Sequence, residues 1–165
     1  MLRLERITHE NLDDILALDV NEHQKDFIAD NARSIIEAYI AVSHGGNAFA
    51  FGVFDGDTAV GFVMIGFGVD DEWTDPPQIA KNSYNIWRLM TDKHYQGRGL
   101  GKGALKLALD FIKTFPCGKA EQCWVSYKPD NTAAKELYRS FGFTQTGEYD
   151  GGEVIAVKKL QGEEK

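Results

Sequence analysis

A chain of 165 residues is long enough for one domain with a core that needs no disulfide or metal staple. Its 43% hydrophobic and 26% charged residues are ordinary for a globular protein, and no apolar run approaches the roughly 20 residues of a membrane span. The net charge of −7 argues against a nucleic-acid surface; it is compatible with a cationic substrate, and equally with plain solubility.

Residues 2–7 alternate apolar and charged, which predicts a half-buried strand. Thr8 stands where an N-cap would for a helix over 9–19, with Leu12, Ile15, Leu16 and Ala17 facing inward. A second helical region over 24–43 carries Phe27, Ile28, Ile35, Ile36, Tyr39, Ile40 and Val42; its polar middle, 30–34, is a point of breakage, and Gly45-Gly46 ends it. Two β-rich runs, 48–54 and 58–67, flank Asp55-Gly56-Asp57, a strong local hairpin signal. Residues 69–82 contain Pro76-Pro77 and are acidic, so they read as a long loop. There Asp70, Asp71, Glu72 and Asp75 beside Trp73 would suit an ammonium group, but charge runs usually face water and a solvated surface loop is the simpler reading.

The centre of the chain reads as strand, glycine-rich loop, helix. Ile86, Trp87, Leu89 and Met90 form a short apolar run closed by Asp92. Arg88 within that run needs a partner, because an unpaired buried charge is costly; a structural ion pair is the expectation. Leu100, Ala104, Leu107, Ala108, Phe111 and Phe115 recur at helical spacing, opposite Lys102, Lys106, Asp110 and Lys113. Between them stand Gly97, Gly99, Gly101 and Gly103. A helix start leaves backbone N–H groups unpaired at the positive end of the dipole, and glycines let an anion approach them. Arg98 and Lys102 add formal charge, so the segment reads as a phosphate cradle. It lacks the Gly-Lys-Ser/Thr of a Walker loop, and it fits a dinucleotide fingerprint badly: Asp92–Gln96 intervenes after the strand, and no acid closes the next one.

Further on, 120–127 reads as a strand and 131–141 as a helix with Asn131 at its cap and Gly142 past its end. Residues 143–149 and 154–157 are strands about Asp150-Gly151-Gly152. Cys117 and Cys123 have no Cys-x-x-Cys frame and read as reduced thiols of a cytoplasmic protein; His9, His23, His44 and His94 lack metal-ligand spacing, so no metal is expected.

Gln96-Gly97-Arg98-Gly99-Leu100-Gly101 resembles the Gln/Arg-x-x-Gly-x-Gly/Ala loop of the GCN5-related N-acetyltransferase (GNAT) family, and Asn131-x-x-Ala134-x-x-x-Tyr138-x-x-x-Gly142-Phe143 resembles a second motif of that family. The resemblance implies one GNAT domain over 1–165, an α/β (α+β) mixed sheet flanked by helices, with acetyl-CoA as co-substrate. It implies that Gln96, Gly97, Arg98, Gly99, Leu100, Gly101 and Lys102 hold the pyrophosphate, and that Leu89, Met90 and Thr91 offer backbone groups to acetyl-pantetheine, one of them as an oxyanion-hole amide. Asn131, Lys135 and Tyr138, three or four residues apart on one helix face, contact the coenzyme, with Tyr138 as the general acid for the departing thiolate. The carboxylates Glu148, Asp150 and Glu153 surround one turn; they suit a cationic amine and its proton, with Glu148 and Glu153 as candidate bases, or equally a solvated hairpin tip. Asn85 and Trp87 stand where some members carry an acid.

Trp87-Arg88, Tyr95-Gln96-Gly97, Gln24-x-x-Phe27 and Gly152-Glu153 are similar to the bacterial spermine/spermidine acetyltransferase branch. That likeness implies a polyamine or diamine acceptor, with Glu72, Trp73, Glu148, Asp150 and Glu153 binding it. Relatives with similar loops acetylate aminoglycosides, amino acids or protein N-termini, and a non-catalytic module that binds CoA esters would carry the same loop. A homodimer is compatible with the resemblance; nucleic acid and membrane partners are not expected.

Overall fold

The computed structural model describes residues 1–161. Its elements follow the expected order: β1 (Leu2–Arg6), α1 (Leu12–Leu16), α2 (Asn31–Ser43), β2 (Asn47–Asp55), β3 (Thr58–Phe67), β4 (Tyr84–Thr91), α3 (Leu100–Ile112), β5 (Gln122–Tyr127), α4 (Thr132–Ser140), β6 (Thr144–Asp150) and β7 (Glu153–Lys159). The seven strands form one mixed sheet in the order β1-β2-β3-β4-β5-β7-β6. Helices α3 and α4 pack on one core, built around Leu105, Ile112, Tyr84 and Val125, while Ile15 and Ala38 close a second around Phe62 and Met64. Among the described residues no helix is long and apolar enough to cross a membrane.

Strand β4 pairs antiparallel with β3 along its length, but parallel with β5 only at Tyr84↔Cys123 and Asn85↔Trp124. Beyond those two pairs the strands splay, and the sheet has a gap at its centre. The register of β3 on β4 also shifts between Met64 and Ile65, which oppose Arg88 and Ile86, so Trp87 is the extra residue of a bulge.

The N-terminal third departs from the pattern expected of its sequence. Helix α1 spans Leu12–Leu16 rather than 9–19, and its N-cap position is Asn11, not Thr8. The Thr8 N–H donates to Asn11 Oδ1, and Asn11 in turn donates to the Arg6 carbonyl. Only Ile15 of the expected inward residues is fully buried; Leu16 and Ala17 face outward. The helix stops early because the chain is pulled across to the end of β4: the Asp19 N–H donates to the Asp92 carboxylate, and the Lys93 N–H to the Asp19 carbonyl.

The break expected near 30–34 falls just before it. Glu22–Gln24 is a single 3₁₀ turn, Phe27 and Ile28 lie in a connection, and Asp30 caps α2 by accepting from the Arg33 N–H at 2.7 Å. Past the last turn of α2 the Gly46 N–H returns to the Ala41 carbonyl, with Gly45 at φ 82° supplying the left-handed residue. Ile36, Tyr39 and Val42 of α2 stand on the exposed side of the helix. Helix α3 ends at Ile112, before Phe115, which sits at φ 54°. The loop 69–82 is tied down rather than free: Trp73 stacks on Trp124, and Ala80 and Ile79 pack against Ile155.

Candidate active site

A cleft of about 920 Å³ opens at the splay between β4 and β5. Its floor is β4 from Asn85 to Thr91; Trp124, Ser126 and Tyr127 of β5, Leu137 and Tyr138 of α4, and Glu37 and Ile40 of α2 line its sides. Beyond Asn85, β4 meets β3 on one edge, and the backbone groups on its other edge have no sheet partner among the described residues. An extended ligand can take the place of the missing strand.

The glycine-rich loop enters the cleft through Gln96, Gly97, Gly99, Leu100 and Gly101. Gly97 and Gly99 have φ 79° and 76°, and a Cβ added at either would meet nothing within 4 Å, so the backbone there is open as well as left-handed. Among the described residues no side chain caps α3; the first intrahelical donor is the Gly103 N–H, which reaches the Gly99 carbonyl. The amides of Leu100 and Gly101 are therefore available to an anion at the positive end of a 13-residue helix. Arg98, Lys102 and Lys135 lie outside the cleft lining. Lys102 and Lys135 are exposed, and the Arg98 guanidinium stands 5.6 Å from the Tyr95 ring centroid.

Asn131 caps α4, accepting from the Ala134 N–H at 3.2 Å, and it lines the cleft. Tyr138, further along the same helix, is 7% exposed and stacks on Tyr127 with ring centroids 6.0 Å apart. Burial, and behind it the neighbouring Cys123, Glu153 and Tyr127, push its phenol well above the ordinary value of 10.0. It therefore holds its proton at neutral pH.

The carboxylates divide. Glu153, Asp150 and Glu72 line the cleft, as does Trp73. Glu148 does not: it stands on β6, an outer strand whose residues from Thr144 to Tyr149 are all exposed. Burial raises the Glu153 carboxyl, Arg88 opposes that rise, and Asp150 adds to it. Burial followed by the charge of Asp75 raises Asp150 too. Glu153 is thus the better placed of the two candidate bases.

Arg88 has the partner its position demanded. Its Nη2 donates to Glu37 Oε2 at 2.7 Å and its Nη1 to the Trp87 carbonyl, while Nε has no partner among the described residues. Glu37 also takes Arg33 Nε at 3.0 Å. That an ion pair was needed could be read from an arginine in an apolar strand; that Glu37 supplies it could not. With Arg88 and Glu37 neutralising each other, the cleft is acidic: Asp26, Asp70, Glu72, Asp150 and Glu153 face Lys25 and Lys128.

Asp92 had no role beyond closing the strand, yet it anchors the loop. It is 4% exposed and accepts from the Asp19 N–H, the His94 N–H and the His94 ring, each at 2.8–2.9 Å. Burial on its own would raise this carboxyl, but the backbone donations from Asp19 and His94, with the His94 ring, outweigh it and hold it below the ordinary 3.8. A folded-state value below the unfolded one means the stabilisation is present above the ordinary value and is lost as pH falls through the folded one. Asp92→Asn is therefore expected to cost about 1–2 kcal/mol at pH 7. Chemical denaturation from pH 7 down to 3 checks this; the gap between the two proteins should shrink as the pH falls, and a constant gap would show that the charge is irrelevant.

Among the described residues no group of three His, Cys, Asp or Glu is arranged to hold a metal ion. The sequence model of the acetyltransferase (GNAT) family matches residues 12–143. The chain is 29% identical to a probable spermine N(1)-acetyltransferase of Bacillus subtilis subsp. natto over 162 residues, covering 96% of this chain and 99% of the relative. It is 28% identical over the same length to the spermine/spermidine N(1)-acetyltransferase of Bacillus subtilis strain 168, again covering 96% of this chain and 99% of the relative. Among solved structures, the aminoglycoside acetyltransferase AAC(6')-Ib in complex with coenzyme A superposes with a TM-score of 0.71 at 16% identity, covering 96% of this chain and 95% of that one. The PaiA N-acetyltransferase of Thermoplasma acidophilum in complex with coenzyme A gives 0.65 at 16% identity, covering 96% and 99%. At these identities the two structures establish the fold.

Proposed function

The chain belongs to the acetyltransferase (GNAT) family and is an N-acetyltransferase, and from this premise we propose that it moves the acetyl group of acetyl-CoA to a primary amine of a small cationic acceptor, a polyamine or diamine such as spermidine or spermine, by direct attack in a ternary complex. The observation that carries the acceptor is the charge of the cleft, where, with Arg88 and Glu37 paired to each other, five carboxylates face two cations. The Bacillus subtilis relatives are named for spermine and spermidine. The donor assignment draws on the open amides of Leu100 and Gly101, the left-handed Gly97 and Gly99, and the unpaired edge of β4. These fit an extended thioester chain ending in a pyrophosphate.

The loop amides then hold the pyrophosphate, Leu89, Met90 and Thr91 pair with the pantetheine arm, and Asn131 closes its side. Bound acetyl-CoA supplies the acyl thioester. An amide of β4 near the Trp87 bulge polarises the carbonyl. The amine must lose a proton to attack, and Glu153, directly or through water, takes it. Burial raises the carboxyl of Glu153, which makes it a better base than an exposed glutamate, and Arg88 opposes that rise. Tyr138, protonated at working pH, returns a proton to the departing sulfur. Neither cysteine is needed: Cys123 is fully buried, its thiol pushed up to about 12 chiefly by burial. We take the enzyme to act in the cytoplasm, where Cys117 and Cys123 stay as thiols.

Mixing the protein with acetyl-CoA, a panel of amines and a thiol reagent tests the proposal. Spermidine and spermine are expected to release CoA with the highest kcat/KM. Preference for an aminoglycoside, an amino acid or a peptide N-terminus would overturn the acceptor assignment. A thermal shift with acetyl-CoA and no release with any amine would overturn catalysis itself.

A further inference from the structure

Gln96 opens the glycine-rich motif, yet its side chain has no capacity left for a phosphate. Its Nε2 donates to the Thr91 carbonyl at 3.0 Å and to Gln24 Oε1 at 2.9 Å. Its Oε1 accepts from Gln24 Nε2 at 3.2 Å and from Asn21 Nδ2 at 3.1 Å. A primary amide has two donors and two lone pairs, so all four are in use. The orientation of both amides is fixed by backbone groups of one polarity. The Thr91 carbonyl can only accept, so Gln96 must face it with NH₂. The Asn21 N–H donates to Gln24 Oε1 at 3.0 Å, so Gln24 must face it with oxygen.

This network sits at a junction. Thr91 is the last residue of β4, and Gln96 immediately precedes the left-handed Gly97. Gln24 and Asn21 belong to the segment stitched to the same loop by Asp19, through Asp92 and Lys93. Val20, Gln24, Phe27 and Ile28 of that segment line the cleft. The start of the loop is tied to this segment by the Asp92 carboxylate on the Asp19 N–H and by Lys93 on the Asp19 carboxylate at 3.7 Å, whereas further along, at Gln96–Gly101, the Gln96 amide supplies the side-chain tie on this flank; Arg98 reaches the carbonyl of His94 within the loop itself.

We infer that Gln24 is a positioning residue for the coenzyme: through its reciprocal amide pair with Gln96 it holds the phosphate loop against the end of β4, so that the loop presents backbone amides, and not the Gln96 side chain, to the pyrophosphate. This rests on acetyl-CoA being the donor. It assigns Gln24 a task that its sequence position, 72 residues before Gln96, does not suggest. Without the Gln24 amide the freed groups of Gln96 must find water, and the loop can shift relative to β4. A displacement of that order matters because pyrophosphate recognition by backbone N–H groups is geometric.

The test measures CoA affinity by calorimetry for the full chain and for Gln24→Met, Gln96→Met, the double variant and Gln24→Glu. Each methionine keeps the length and removes the amide. Each single methionine variant is expected to bind CoA about tenfold more weakly, a change of about 1.4 kcal/mol. The double variant is expected to be no weaker than the poorer single one, because both substitutions break one unit. Gln24→Glu keeps both acceptor contacts but sets a carboxylate oxygen against Gln96 Oε1 where the donor was, so it should bind CoA at least as weakly as Gln24→Met. Wild-type CoA affinity in the folded variants, even with a lowered Tm, would show a merely structural role and overturn the inference; so would additive losses in the double variant. Should Gln24→Met not fold, Gln24→Glu decides alone, with unchanged affinity the overturning result. If the unaltered protein does not bind CoA, the acetyl-CoA assignment itself fails, which is a different outcome from variants that bind like wild type.

Discussion

Tyr138→Phe is expected to lower kcat about 100-fold with CoA affinity unchanged, the size of effect that losing a general acid produces. The hydroxyl is the only atom removed, and among the described residues it makes no hydrogen bond whose loss would unsettle α4. The ring keeps its stack on Tyr127 and its edge contact with Phe143. Stability should therefore change little, and a fall in rate can be assigned to the chemistry. The pH profile offers a second test. Because the phenol is held far above its ordinary value, wild type should show no alkaline fall from Tyr138 at pH values where the amine is already neutral. Steady-state assays with saturating acetyl-CoA, alongside a CoA titration, measure both quantities. A variant within a few-fold of wild type in kcat would remove Tyr138 from proton transfer and leave the leaving thiolate to be protonated by water.

Gly61→Val should cost about 2–3 kcal/mol of stability and lower Tm by about 5–10 °C. Gly61 lies opposite Thr91 in the β3–β4 register, and a Cβ built there falls 2.5 Å from the Met90 carbonyl oxygen. The obstacle is backbone, so no rotamer change relieves it; β4 must move away from β3. That movement displaces the strand proposed to hold the pantetheine arm, so weaker CoA binding should accompany the lower Tm. Gly66 on the same strand is the control. Its Cβ would meet only ordinary contacts, with Asn47 and Trp87 at 3.6 and 3.7 Å, so Gly66→Ala should change stability by about 1 kcal/mol or less. Equal losses at the two positions would show that close strand approach at Gly61 is not the cause.

The sequence carried the periodic elements well. The stripe of α3, with Ala104, Ala108 and the outward Lys102, Lys106 and Asp110, follows from helical spacing alone. The β2–β3 hairpin about Gly56, at φ 59°, follows from its Asp-Gly turn. These signals are local: each depends on residues within one turn or one hairpin of one another. Where the N-terminal third departed, a distant group had intervened. No pattern in residues 9–19 announces that Asp19 will be claimed by Asp92, 73 positions on, and that claim ends α1 after Leu16.

The same division runs through the site. The glycine loop and the Asn131–Phe143 segment are compact motifs, so the loop between β4 and α3 and the place of Tyr138 on α4 could be read from the chain. Arg88 declared that it needed a partner without saying which. Three matters were left to the tertiary structure. The gap between β4 and β5 arises because parallel pairing stops after Asn85↔Trp124, and pairing is a property of two strands far apart in the chain. That Glu153 lines the cleft and Glu148 does not depends on which carboxylate is carried on a strand facing the cleft and which on an outer one. The use of Gln96 depends on Asn21 and Gln24 filling its hydrogen-bonding capacity. Sequence by itself determined the backbone conformations and the chemical types on offer, because those are set by neighbours within a few residues. Which side chains meet, and which are left free for a ligand, was decided only when the sheet brought distant segments together, because hydrogen bonds and burial depend on distance in space.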